Sequence, residues 1–256
     1  MTIPEILEHR QDGVLTLTFH RVERKNSITV AMYERLAEAL EQAAQDGATR
    51  VVVLQGHETI FSAGNDLEDF LRRPPGSKSA PAFRFLRALA ACPKPLLAAV
   101  CGPAVGVGTT LLFHCDLVYA GDNAAFSMPF VNLGLCPEAA SSLLVPRMLG
   151  HHRAAEALLL GEPFMAEAAQ EAGLVNRIVT PAQCNALVQA QALKLAAKPL
   201  ASLMTTKRLL KSELQEAVLR RIDEEGEEFA RLLSQPAARE AMTAFLEKRK
   251  PDFSKC

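Results

Sequence analysis

Three short apolar segments constrain the fold of this chain more than any other feature of its sequence. They cover residues 51–54, 96–100 and 117–120, and none contains a charged side chain. Segments of four or five apolar residues are typical of strands buried on both faces, as in a parallel sheet that helices cover. Apolar spacing over residues 29–45 predicts an amphipathic helix with Thr29 as its N-cap. The sequence therefore predicts an α/β core.

The final third of the chain has no strand pattern and predicts helices only. Thr180-Pro-Ala-Gln183 has the spacing of a capping box with proline at the first helical position, so a helix is predicted to begin there. Prolines further along the chain divide the remainder into shorter helices. We therefore predict a core over residues 1–197, which holds the functional site, and a helical C-terminal region over residues 198–256.

Four other segments lead to specific predictions. Residues 139–149 are predicted to form a helix, and residues 174–179 a strand. The charged run at residues 220–228 predicts a solvated helix face. Residues 72–79 are the one linker-like stretch, which is too short to separate domains and is predicted to be a surface loop.

Composition excludes several classes of protein. The chain of 256 residues carries 28 Lys and Arg against 29 Asp and Glu, so no basic excess is available to neutralise nucleic-acid phosphates. No apolar run is long enough to span a bilayer, and the first residues lack the apolar segment of a signal peptide, so a cytoplasmic location is expected. The six cysteines form no Cys-x-x-Cys pair, which disfavours a zinc site.

Two glycine-containing turns, at residues 61–67 and 101–110, each follow a predicted buried strand. Glycine lets the backbone approach a ligand closely, and the start of a helix presents free N–H groups. Two such turns can aim two N–H donors at one oxygen, as in an oxyanion hole, although ordinary strand-to-helix turns remain the alternative. Neither turn has a G-x-G-x-x-G or Gly-Lys-Ser/Thr pattern, which disfavours nicotinamide and nucleotide binding.

The two turns, in this order, resemble those of the crotonase superfamily, the enoyl-CoA hydratases and isomerases. The resemblance covers nearly the whole chain and implies a spiral of β-β-α repeats, followed by helices that assemble a homotrimer or a hexamer. The other segments that match family patterns are Arg24-Lys-Asn-Ser-Ile28, Cys115-Asp-Leu-Val-Tyr-Ala120, and residues 133–140, 144–150, 168–179 and 245–253.

The resemblance also assigns the parts of a site for an acyl-CoA thioester. It implies that the backbone N–H groups of Asn65 and Val107 hold the thioester oxygen. No cofactor or metal is implied, since coenzyme A is part of the substrate. The residues carried over as substrate-binding or CoA-binding are Arg24, Lys25, Ser62, Ala63, Gly64, Asp66, Leu67, Gly106, Phe130 and Lys248.

The choice of reaction depends on three positions. The hydratases use two glutamates, and the resemblance places Thr110 and Phe130 at those positions, so hydration is disfavoured. Glu138 remains, and Pro137-Glu138 resembles the "PEG" of the peroxisomal-type 3,2-enoyl-CoA isomerases, whose glutamate is the single base. The predicted function is an isomerase of fatty-acid β-oxidation that moves the double bond of 3-enoyl-CoA to 2-trans-enoyl-CoA. From position alone, Glu138 is equally well a first-turn acid beside a helix dipole.

Two alternatives to this function stay open. Ring-1,2-epoxyphenylacetyl-CoA isomerases of phenylacetate degradation have "PD" where this chain has Pro137-Glu138, and some crotonase homologues only bind acyl-CoA.

Three nearby polar residues are given structural predictions: Asp66 caps the helix after the first turn, His114 is a packed histidine, and Asp116 supports the second turn. Arg24, Lys25 and Lys248 are as consistent with solvated surface as with CoA contact.

Overall fold

The computed structural model describes residues 4–72 and 80–256, so the loop predicted at residues 72–79 lies outside the described residues except for Arg72. The strands are β1 Ile6–Gln11, β2 Val14–Phe19, β3 Val51–Gln55, β4 Leu96–Val100, β5 Pro103–Val105, β6 Leu117–Gly121, β7 Ala125–Ser127, β8 Phe164–Met165 and β9 Arg177–Val179. The α-helices are α1 Val30–Gln45, α2 Leu67–Arg72, α3 Pro81–Ala91, α4 Val107–Thr110, α5 Ser141–Leu149, α6 His151–Ala155, α7 Ala166–Glu171, α8 Pro181–Ala196, α9 Leu200–Lys211, α10 Gln215–Leu233 and α11 Pro236–Leu246.

The three apolar segments form neighbouring parallel strands in a six-stranded sheet. Its order is β1-β2-β3-β4-β6-β9, in which β1 and β2 are an antiparallel hairpin and every later pair is parallel. A smaller sheet pairs β5 with β7 in parallel and β7 with β8 in antiparallel orientation. The predicted α/β core is confirmed, with long helices following it.

The two faces of the main sheet pack against different helices. Along β3, Val52 and Leu54 belong to a large core shared with α1 and α3, whereas Val51 and Val53 pack with α8. Because both faces are buried, apolar side chains are favoured at every position of these strands. The predicted start of α1 is also confirmed, since Thr29 Oγ1 accepts a hydrogen bond from Met32 N at 3.3 Å.

The helix predicted from residue 139 begins two residues later. Ala139 and Ala140 have φ values of +61° and +56°, in the left-handed region that an α-helix cannot include. The first helical residue is therefore Ser141, and Glu138 lies on the turn before the helix. The prediction of a first-turn acid was wrong for that reason.

Two other element predictions need correction. The strand predicted at residues 174–179 starts only at Arg177, because the N–H groups of Leu174 and Val175 both donate to Ala169 O and close the turn after α7. Helix α8 does begin at Pro181, but the Thr180 side chain makes no capping hydrogen bond. The predicted capping box is thus absent, although the predicted helix start is confirmed.

The charged run at residues 220–228 is not a solvated face. It lies in α10, whose residues Ile222 and Glu225 are 1% and 6% exposed. Gly226 packs so closely on α3 that an added Cβ would lie 2.6 Å from Phe83 Cε1. The run therefore combines a buried face with an exposed one, and charge content alone did not distinguish them.

The helical C-terminal part packs on the core through α10, which contacts both α3 and α5. The boundary predicted between residues 197 and 198 stays a prediction. None of the helices in residues 4–72 and 80–256 combines the length and the apolar character that crossing a membrane requires.

Candidate active site

A cavity of about 610 Å³ lies where the two glycine turns meet. Helices α10 and α11 supply its other wall, so the core and the C-terminal part both contribute to it. Its lining includes Arg24, Lys25, Ala63, Gly64, Asn65, Asp66, Leu67, Gly106, Val107, Phe130, Phe229, Met242, Phe245, Leu246 and Arg249.

Backbone pairing holds the two turns side by side. Ser62 and Ala104 form a parallel bridge, and Val105 N donates to Ser62 O at 2.9 Å. Gly64 has a φ of +84°, and a Cβ at this position would lie 2.8 Å from Val105 O. Only glycine satisfies both the positive φ and this close approach.

Two N–H groups remain available where the turns meet. Asn65 and Val107 line the cavity, and neither backbone N–H donates to an acceptor in the described part of the chain. Val107 is the first residue of α4, a position whose N–H has no partner within the helix. The structure therefore brings together the two groups that the resemblance assigns to an oxyanion hole.

Glu138 is a buried carboxyl, 7% exposed, beside the end of α4. The Thr110 hydroxyl donates to Glu138 Oε1. Burial raises the pKa of Glu138 to about 8; the hydrogen bond from Thr110 opposes the rise, and the charge of Glu225 adds to it. A carboxyl with this pKa can release and take up a proton near neutral pH.

Glu138 is not among the residues that line the cavity. Its partner Thr110 is the last residue of α4, and Val107 is the first. At the rise of an α-helix these two residues are about 5 Å apart along the axis. The carboxyl of Glu138 is thus bonded to a residue one helical turn from the free N–H of Val107.

Tyr33 links α1 to the first turn and was missed by the sequence reasoning. Its hydroxyl donates to Asn65 Oδ1 at 2.6 Å, and its ring is 4% exposed. Burial, with the nearby charge of Glu138, raises the pKa of Tyr33 well above its usual value. The Asn65 side chain is therefore fixed by a neutral phenol. An apolar helical position gives no sequence signal for such a contact.

Three carboxylates lie on the cavity, as far as the structure describes it: Glu23, Asp66 and Glu68. Glu23 and Glu68 are exposed. Asp66 caps α2 by accepting from Asp69 N at 3.1 Å, as predicted, and it pairs with Arg21 at 2.6 Å. Burial would raise the pKa of Asp66, but the Arg21 hydrogen bond and charge lower it overall. Two of these carboxylates are exposed and the third is paired with Arg21, whereas Glu138 is buried and bonded to a neutral hydroxyl.

The predicted contacts on the CoA side divide into two groups. Arg24 and Lys25 lie on the cavity, whereas Ser62 is fully buried and off it, with its carbonyl taken by Val105 N. Lys248 is exposed and off the cavity as well, while its neighbour Arg249 is on it. Ligand contact by Ser62 and by Lys248 stays a prediction, and Arg249 is a further cation on the cavity that the sequence reasoning did not name.

The remaining predicted residues make structural contacts, but Asp116 contacts the start of β4 and helix α9 rather than the second turn as predicted. His114 is 3% exposed, as predicted for a packed histidine, and its Nε2 donates to Ala139 O at 2.7 Å. Asp116 accepts from Leu96 N at 2.7 Å and pairs with Lys207 at 2.7 Å. No group of three or more His, Cys, Asp and Glu side chains within residues 4–72 and 80–256 is placed to hold a metal ion.

The chain was compared with known sequences. The family model described as Enoyl-CoA hydratase/isomerase matches residues 9–255. The chain is 37% identical to the 1,2-epoxyphenylacetyl-CoA isomerase of Escherichia coli K12, over 97% of this chain and 98% of that protein. It is 35% identical to the 2,3-dehydroadipyl-CoA hydratase of the same organism, over 97% and 98%. Enoyl-CoA delta isomerase 2 of Rattus norvegicus is 41% identical over 68% of this chain and 46% of that protein.

Solved structures agree with these sequence matches. Pseudomonas aeruginosa OdaA is 47% identical, with a TM-score of 0.92 over 94% of this chain and 98% of that chain. The family model and the full-length relatives cover almost the entire sequence. They confirm the fold expected from the resemblance and indicate an enzyme family that acts on CoA esters. The chain belongs to the enoyl-CoA hydratase/isomerase family, the crotonase family.

Proposed function

We propose that this protein is a 3,2-enoyl-CoA isomerase that works through an enolate. Glu138 removes a proton from carbon 2 of a 3-enoyl-CoA, and the electron pair moves onto the thioester oxygen. Glu138 then returns the proton to carbon 4, which gives the 2-trans-enoyl-CoA. No atom is gained or lost, so neither a cofactor nor a second substrate is needed.

The enolate oxygen accepts from the N–H groups of Asn65 and Val107 in this proposal. Both are fixed by the paired turns, so no reorganisation is required when the negative charge develops. Each such donor is worth on the order of a hundred- to a thousandfold in rate. Arg24 and Lys25, which line the cavity, meet the anionic CoA portion in this proposal.

The observation that carries the proposal is the buried carboxyl of Glu138, with its pKa raised to about 8, bonded to Thr110 on the same short helix that begins with the unpartnered N–H of Val107. Because the carboxyl does not line the cavity, the proposal includes its rotation away from Thr110 toward carbon 2 of the bound substrate.

Hydration is the less favoured reaction. It needs two carboxylates around a water, and the two positions hold Thr110 and Phe130, neither of which transfers protons as a carboxylate does. Phe130 is 4% exposed and lines the cavity, so it occupies space where water would have to sit. A single base suffices for a proton shift, and the site offers one.

The second candidate is a ring-1,2-epoxyphenylacetyl-CoA isomerase. The observation in its favour is the 37% identity over almost full length to the Escherichia coli enzyme of that name.

The test that separates the candidates is to incubate the protein with 3-hexenoyl-CoA and with the epoxide thioester, and to follow the products by absorbance and chromatography. Conversion of 3-hexenoyl-CoA supports the first candidate. Conversion of the epoxide alone supports the second, and CoA binding without turnover of either indicates a binding protein.

We also propose a homotrimer or hexamer, a cytoplasmic location and a role in fatty-acid β-oxidation. Leu209 and Leu210 on α9 are 62% and 81% exposed, and apolar side chains at this exposure are consistent with burial between subunits. Light scattering coupled to size exclusion measures the assembly, and a monomeric mass contradicts this part of the proposal.

A further inference from the structure

We propose that Glu225 is a positioning residue: its carboxylate, delivered by α10, fixes the left-handed turn that carries Glu138. The inference rests on the proposed function, in which Glu138 is the base. Glu225 is 85 residues from this turn in sequence and is brought to it by the packing of α10 against α5.

Both oxygens of Glu225 accept hydrogen bonds from the backbone around this turn. Ala140 N donates to Oε2 at 2.6 Å, and Ser142 N donates to Oε1 at 2.8 Å. Glu225 is 6% exposed, so water does not compete for these donors. Arg221, one turn earlier on α10, donates to Ser142 Oγ at 2.9 Å. The carboxylate thus spans the end of the turn and the start of α5.

The turn needs such a partner because its backbone is unfavourable for its residues. Ala139 and Ala140 both have positive φ, a region in which a Cβ crowds the following carbonyl oxygen. On the opposite side, the ring of His114 donates to Ala139 O. His114 therefore bonds the carbonyl of Ala139, and Glu225 bonds the N–H of Ala140 in the turn and that of Ser142 in α5. Glu138 is the residue immediately before this turn.

The charge of Glu225 also acts on the base. Burial raises the pKa of Glu225, while the hydrogen bonds from Ser142 and Ala140 and the charge of Arg221 favour its ionised form. The groups that face Glu138 are the hydroxyls of Thr110 from α4 and Tyr33 from α1, and the carboxylate of Glu225 from α10. His114 is uncharged at neutral pH, since burial lowers its pKa to about 4. A negative charge close by disfavours ionisation of Glu138, so removal of that charge lowers the pKa of Glu138.

Replacing Glu225 by glutamine tests both effects. In E225Q, the amide oxygen still accepts one hydrogen bond, but the amide NH₂ cannot accept from the second backbone N–H. The backbone around the turn therefore loses one of its two hydrogen bonds to this side chain. We expect kcat for 3-hexenoyl-CoA to fall at least tenfold above pH 9, with KM within twofold, and the acid limb of the kcat profile to move to lower pH. The matched control is E228Q on the same helix, where Glu228 is exposed and bonded to Arg231.

A second readout does not depend on the reaction. The protonated carboxyl band of Glu138, identified in difference infrared spectra by its loss in E138Q, is titrated in the wild type, E225Q and E228Q. A lower Glu138 pKa in E225Q supports the effect of the Glu225 charge even if the substrate proves to be another CoA ester, whereas the fall in kcat above pH 9, where Glu138 is ionised, supports the positioning effect. If E225Q and E228Q have the same Glu138 pKa and the same kcat, the inference is refuted, even if their melting temperatures differ.

Folding of the variant is the remaining requirement. If E225Q is not recovered folded, the titration is made on E225Q/A140G, in which glycine removes the crowding of the left-handed position. The infrared pKa of Glu138 is then the deciding quantity, compared with the A140G single variant. A downward shift supports the inference, and an unchanged pKa refutes it.

Discussion

The hydroxyl of Thr110 should set the pH at which the enzyme works. It donates to Glu138 Oε1 inside a buried site, and this bond holds the pKa of Glu138 below the value that burial alone would produce. A hydrogen bond to a charged group is worth about 1.5–3 kcal/mol, and part of it persists with the protonated acid. Valine has the shape of threonine without the hydroxyl. A net loss of about 1.4 kcal/mol in Thr110→Val corresponds to a rise of about one pKa unit.

The consequence is a rate loss that depends on pH. With a pKa of about 8, roughly one tenth of Glu138 is ionised at pH 7, and a rise of one unit leaves about one hundredth. We therefore expect kcat/KM of Thr110→Val to fall about tenfold at pH 7 and to recover at pH 10. Thr110→Ser keeps the hydroxyl and serves as the control. The measurement is the pH profile of kcat/KM for 3-hexenoyl-CoA, which reports the free enzyme. An acid limb that stays in place or moves to lower pH refutes the reasoning.

Three further predictions concern other parts of the account. Gly64→Ala places a Cβ 2.8 Å from Val105 O and displaces the Asn65 N–H, so kcat should fall about a hundredfold, while Gly47→Ala, which meets open space, should leave kcat unchanged. Glu138→Gln should raise stability at pH 9 by roughly 3–5 kcal/mol and have little effect near pH 4.5. The wild type loses stability as the pH rises from about 4.5, where the unfolded chain releases the proton, to about 8, where the folded chain does; thermal unfolding at pH 4.5 and pH 9 measures the difference. Lys207→Met removes a buried ammonium that pairs with the partly exposed Asp116 and donates to Lys94 O, and it should cost about 2 kcal/mol in urea unfolding, against no change for Lys198→Met at an exposed position.

The sequence predicted the sheet well because local composition reflects burial there. Strands such as β3 are covered on both faces, which demands apolar residues throughout, and the glycine turns carry a steric requirement that few other residues meet. The N-cap of Thr29 was predictable for a similar reason, since a short polar side chain next to an amphipathic stretch has few other roles.

The errors arose where distant parts of the chain determine local structure. Nothing near Ala139 and Ala140 indicates a left-handed turn, because the groups that hold it, Glu225 and His114, come from elsewhere in the sequence. The charged run at residues 220–228 was predicted to be solvated because the turn that its buried residue Glu225 contacts is distant in the sequence. Tertiary contacts of this kind override local propensity, and they are concentrated around the candidate base.

The cavity shows the same limit on prediction. The resemblance supplied Asn65 and Val107, which the structure brings together with free N–H groups. It also suggested Lys248, but the backbone of the C-terminal segment presents Arg249 to the cavity instead. A one-residue shift of this kind is not visible in the sequence, because both side chains are long and positively charged.

The role of Glu138 as the single base is the central claim, and Glu138→Gln tests it most directly. The measurement is the single-turnover rate of 3-hexenoyl-CoA conversion at pH 9, with CoA-ester affinity determined separately by calorimetry. The account predicts a rate at least a thousandfold below the wild type with affinity within threefold, because glutamine keeps the shape and cannot accept the proton. A Glu138→Gln variant that isomerises 3-hexenoyl-CoA at the wild-type rate contradicts the account.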